Sequence, residues 1–111
     1  MTRPAAGSEP GLRIVTQYWR GDVRVCELEN AGNTLDVHIS RCDGQDDREW
    51  IVEVRNGRTD AAVCVSERGT TRATALVAAA SAWVARGPAL GLRSWDWDAV
   101  ARALKAVDAI D

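Results

Sequence analysis

The sequence predicts an α+β fold: an antiparallel five-stranded meander sheet, then two C-terminal helices packed on one face of it. Three observations carry the prediction. In runs between Leu12 and Ser66, apolar and polar residues alternate with the period of a strand. From Thr70 onward the apolar residues recur at helical spacing. The breaks between the early runs are short and hold Gly, Asn or Asp, so consecutive strands should pair as antiparallel neighbours. Strands first and helices after is the order of an α+β chain.

The chain of 111 residues is the length of one domain. Residues 1–11 hold two prolines, two glycines and few apolar side chains, and read as a disordered tail ahead of a single domain over 12–111. The stretch LRIVTQYW then alternates as a first strand, with Leu12, Ile14, Thr16 and Tyr18 expected inward and Arg13, Val15, Gln17 and Trp19 outward. After the turn RGD, VRVCELE continues with Val23 and Val25 inward, Arg24 and Cys26 outward. ENAGN is a hairpin loop, because Gly and Asn tolerate positive φ.

TLDVHIS shows the cleanest alternation, with Leu35, Val37 and Ile39 on one face and Asp36, His38 and Ser40 on the other. RCDGQDDR is a polar loop. EWIVEVR follows, placing Trp50, Val52 and Val54 inward and Ile51, Glu53 and Arg55 outward. NGRTD is a turn, and AAVCVS is the fifth strand, with Val63 inward and Ala62, Cys64 and Ser66 outward.

The alanine-rich stretch TTRATALVAAASAWVAR is the first helix, with a stripe of Ala73, Leu76, Ala80, Trp83 and Val84. Thr70 or Thr71 caps its start, and Gly87 with Pro88 should end it. The second helix opens near Ser94. Ser94 or Asp96 caps it, Asp96 and Asp98 sit where negative charge suits the dipole, and Trp97, Val100, Leu104 and Val107 form its stripe. Trp97 therefore reads as a packing anchor, while Trp95 falls off that register.

Few chemical motifs survive inspection. Around Cys42 the loop offers Asp43, Asp46 and Asp47, but Arg48 stands where a calcium loop starting at Asp43 needs glycine. His38 and Cys42 give two zinc ligands where a closed site needs three or four. There is one histidine, no glycine-rich phosphate loop and no recognisable nucleophile context. No metal, cofactor or catalytic residue is expected, and no enzymatic activity. Three cysteines without a close pair, no apolar leader in MTRPAAGSEPG and no membrane-length apolar run lead us to expect a cytoplasmic chain with free thiols.

The segment GTTRATAL resembles the strand-to-helix step of HicB-type antitoxins, a family with a small double-stranded-RNA-binding-like fold. The likeness covers Gly69, Thr71, Ala75 and Leu76. The acidic residues common early in that family's helix are replaced by Ala73 and Thr74, and its proline-containing segment before the glycine is absent. The likeness is therefore one of helix-start chemistry, not of membership.

Five strands at about 4.8 Å make a sheet roughly 20–25 Å wide, and two helices about 10 Å apart cover one side of it. The other side should stay open. It is expected to mix apolar residues with charges, as a partner surface does. Val15, Trp19, Arg24, His38, Ile51 and Arg55 are the expected contact residues. The leading expectation is a protein-interaction or regulatory module that binds a protein or a second copy of itself. The alternative is single-stranded nucleic acid or RNA on the same face, with Trp19 stacking a base. A formal net charge of −2 weighs against the alternative.

Overall fold

A computed structural model describes residues 12–41, 49–56, 63–107 and 110. The expected N-terminal tail, the Cys42 loop and the turn after Asn56 lie outside the described residues. The elements are β1 (Arg13–Arg20), β2 (Val23–Asn30), β3 (Asn33–Arg41), β4 (Trp50–Asn56), β5 (Val63–Gly69), α1 (Arg72–Leu90) and α2 (Trp97–Ala106). The strands form one antiparallel sheet in the order β1-β2-β3-β4-β5, and α1 packs on β5 and β4. The fold is α+β, as the change of period predicts.

Register begins at the turns. Ala31 and Gly32 join β2 to β3 with φ of 55° and 85°, positive at both positions as a type I′ hairpin turn requires. That turn sets Leu28 opposite Leu35 and Cys26 opposite Val37. Directly opposed residues share a face. Cys26 and Leu28 therefore enter the core with Leu35, Val37, Ile39, Val52, Val54 and Val65, all of them buried. Fully burying one such aliphatic side chain is worth about 1.5–3 kcal/mol.

This pairing corrects the expected facing of β1 and β2. Val25 is buried, as expected, but on the open face beside His38 and not among the residues under the helices, where Cys26 lies instead. In β1, Ile14 pairs with Leu28 and keeps the inward place expected of it, but the register shifts between Ile14 and Thr16. The extra residue, Val15, is a bulge, and it exchanges the faces of everything after it. Thr16 and Tyr18 are thus on the open face, while Gln17 and Trp19 share the helix side with Cys26 and Arg24. A second irregularity, at Val54 and Arg55, sets Val63 opposite Arg55 on the open face and leaves Val65 inward.

Gly69 ends β5 at the point where α1 begins. A Cβ there would stand 2.8 Å from Ala75 Cα and still closer to the Ala75 nitrogen, so only glycine lets strand and helix start this close. Thr71 caps the helix: its hydroxyl accepts from Thr74 N–H at 3.0 Å, and the Thr71 N–H donates to Thr74 Oγ1 at 2.9 Å. The buried stripe is Ala75, Leu76, Ala79, Trp83 and Gly87. Val84, expected on it, is exposed.

The end of α1 differs too. The helix runs through Gly87 and Pro88 to Leu90. Gly87 has no Cβ to clash with the following proline ring, which removes part of the usual conflict. The stop is Gly91: its N–H reaches Pro88 O at 3.3 Å, and Leu92 N–H reaches Gly87 O at 2.9 Å. In α2, Asp96 accepts from Ala99 N–H at 3.2 Å, and Val100 and Leu104 complete the core.

Candidate interaction surface

The helical layer stops short of one strand. Towards the β1 side, α2 is tied down at β2, where an Arg24 Nη donates to the Val107 carbonyl at 3.3 Å. β1 lies beyond, and every residue from Val15 to Arg20 is exposed. Trp19, on the helix side, is 61% exposed, and Tyr18, on the open face, is 46% exposed. The Arg24 guanidinium sits 5.2 Å from the Trp19 ring centre and also donates to Gln17 Oε1. The indole is thereby held in place on a bare strand.

The open face is more polar than expected. One cross-strand row runs Tyr18, Val25, His38, Glu53, Ser66, and the next runs Thr16, Glu27, Asp36, Arg55, Val63. His38, at the centre, is only 6% exposed. An Arg20 Nη lies 3.4 Å from its Nδ1, and Arg55 and Glu53 are near. Burial, then the positive charges of Arg55 and Arg20, push the imidazole pKa below its ordinary value; Glu53 opposes this more weakly. His38 is therefore neutral at neutral pH.

A third feature lies between the helices. Trp83, Pro88, Leu92, Trp95 and Trp97 line an apolar cleft of about 200 Å³. Trp83 is fully buried, donates its indole N–H to Arg93 O at 2.9 Å, and meets Trp97 edge-to-face at 5.9 Å. Trp95 is buried against the core as well. Trp95 and Trp97 thus fasten α2 to its own chain.

Of the residues expected to form one contact face, the structure separates two groups. His38, Ile51 and Arg55 share the open face. Trp19 and Arg24 stand on the other side of the sheet, and Val15 occupies the bulge. Tyr18 and Arg20, which the alternation of β1 placed inward or left unassigned, belong to the open face. Only the Val15 bulge separates the two readings, and a lone valine in an alternating run carries no sequence signal for it.

Among the described residues no group of His, Cys, Asp and Glu is placed to hold a metal ion, and no helix is long and apolar enough to cross a membrane. Cys26 is wholly buried and burial raises its thiol pKa, so it is an inert core residue. Comparison with protein-family models, with curated proteins and with solved structures gives no match to this chain.

Proposed function

We propose that this chain is a small non-catalytic protein-interaction module whose working surface is β1, together with the open sheet face beside it. The observation that carries this is the bareness of β1. Among the described residues it pairs with β2 alone and no helix covers it, and it presents Val15, Tyr18 and Trp19 to solvent. Aromatic residues of this kind anchor interfaces, and a free strand edge offers a ladder of backbone donors and acceptors to an incoming strand. The half-buried Ile51 and Arg55 extend the surface across the open face, with His38 buried between them.

Base stacking on Trp19 is the competing reading, because an arginine held at an exposed indole resembles a nucleic-acid platform. The arginines around it are already engaged, however. Arg24 is held by Trp19, Gln17 and Val107, and Arg13 pairs with Glu29 at 2.9 Å. Capture experiments with tagged chain separate the readings. A partner retained through nuclease treatment and lost on Trp19→Ala supports the protein module. A partner removed by nuclease, with steep salt dependence, overturns it in favour of nucleic acid.

A further inference from the structure

We infer that the cleft between α1 and α2 is a binding site for a small uncharged ring compound that carries one hydrogen-bond acceptor, such as an aryl ketone. The site is independent of β1 and goes beyond the reading of that strand as the working surface.

Chain order makes the cleft. α1 runs on through Gly87 and Pro88 to Leu90, the chain reverses at Gly91, and residues 92–96 lead back to α2. The walls therefore come from three consecutive pieces of one chain. Trp83, Gly87 and Trp95 are buried and form the floor; Val84, Pro88 and Ser94 are exposed and form the mouth. Gly87 keeps the space open. A Cβ there would stand 3.7 Å from both Leu92 Cβ and Trp83 Cδ1, at ordinary contact distance, so a side chain would rest against those walls and the glycine leaves that room unfilled.

Size and polarity select the guest. An apolar cavity of about 150 Å³ takes benzene. The cleft here holds about 200 Å³, room for one ring with a short substituent. None of the described residues lining it is charged, and Ser94 supplies the only hydroxyl, so an ion entering would lose its water without gaining a partner.

Two donors select the acceptor. The indole N–H of Trp83 is already used, donating to Arg93 O at 2.9 Å. Those of Trp95 and Trp97, the other two rings of the wall, are buried with no acceptor among the described residues. Trp95 as a whole is only 9% exposed. An indole N–H shut away in this manner ordinarily has a partner, and leaving it without one is costly. Trp97 also borders a shallower groove along Ala80, Ser81 and Ala85, which leaves its ring room to turn. A carbonyl carried in by the guest supplies the acceptor after such a turn, a gain that a hydrocarbon of the same shape does not offer.

Acetophenone and ethylbenzene, nearly equal in size, test the site and its chemistry together. Proton–nitrogen correlation spectra give one indole N–H peak for each of the five tryptophans. Once these are assigned, acetophenone should move the peak of Trp95 or Trp97 downfield in the proton dimension and leave those of Trp19 and Trp50 in place. Ethylbenzene should bind about five-fold or more weakly, the worth of one hydrogen bond. Gly87→Ala, which puts a methyl group into the cleft, should weaken acetophenone binding about five-fold or more, with circular dichroism checking that the variant folds.

No moving peak at millimolar acetophenone, or movement confined to Trp19 and Trp50, overturns the site. Equal affinity for the two probes overturns the assigned acceptor. Unchanged binding by folded Gly87→Ala overturns the location. Should that variant fail to fold, the wild-type spectra with the two probes decide alone.

Discussion

Replacing Trp83 by alanine should cost more than any other single truncation in α1. The side chain is 1% exposed, touches Trp97 edge-to-face and lies against Gly87, where its own helix leaves no side chain to fill a void. Emptying such a site costs about 3–5 kcal/mol. Loss of the aromatic pair adds about 0.5–1.5 kcal/mol to simple area burial, which favours the upper half of that range. The hydrogen bond to Arg93 O adds little, because Arg93 is exposed and its carbonyl can turn to water. Trp83→Phe, which keeps most of the ring, should therefore cost only about 1–2 kcal/mol. Urea unfolding followed by far-ultraviolet circular dichroism measures both; fluorescence is less suitable in a chain with five tryptophans. A loss below about 1 kcal/mol for alanine would place Trp83 outside the core and refute the packing of α1. Equal losses for alanine and phenylalanine would assign the anchor to the hydrogen bond instead of burial.

Three further outcomes test other parts of the fold. Ala31→Asn should stabilise by about 1 kcal/mol and raise Tm by several degrees, since alanine pays strain at φ of 55° that asparagine tolerates. Gly69→Ala should lower the urea midpoint by an amount equivalent to about 1–3 kcal/mol, because the new methyl meets the Ala75 backbone, which cannot swing away, as well as the capping Thr74 Oγ1. His38, whose pKa is lowered from 6.5 in the folded chain, should make stability pH-dependent. Its contribution is fully present above about 6.5 and is lost as pH falls from there through the folded-state pKa, since the unfolded chain takes up a proton that the folded chain, with Arg20 and Arg55 close by, resists. Denaturation curves over that window should flatten in His38→Gln.

Element type was legible because it depends on period alone, and the periods here are long and unmixed. Facing was legible only where one phase is much more apolar than the other. In β3, Leu35, Val37 and Ile39 alternate with Asp36, His38 and Ser40, and no other facing competes. In β2, Val23 and Val25 compete evenly with Cys26 and Leu28, and the decision falls to the Ala31–Gly32 turn, which aligns the second pair with the β3 core. In α1 the many alanines flatten the contrast between faces, so the true stripe, with Ala79 and Gly87 in place of Ala80 and Val84, could not be told from its neighbour. Pro88 misled because a proline near a helix end normally marks the stop, whereas Gly87 before it relieves part of the clash and Gly91 supplies the cap.

Trp19 was expected to be exposed because it would face outward; it is exposed although it faces the helices. The difference follows from chain order. Two helices cover about 20 Å and five strands span roughly 20–25 Å, so a strand at one edge must be left over. Which edge is decided by Gly69 and Thr71, which turn the chain directly from β5 into α1 and start the helical layer at the β5 side. The layer then ends at Arg24 and Val107, over β2. β1 is the remainder, and the Val15 bulge places its largest side chain on the uncovered part of the helix side. An aromatic residue in that position gains nothing from the core, which is why its contribution should be read in association and not in the stability of the isolated chain.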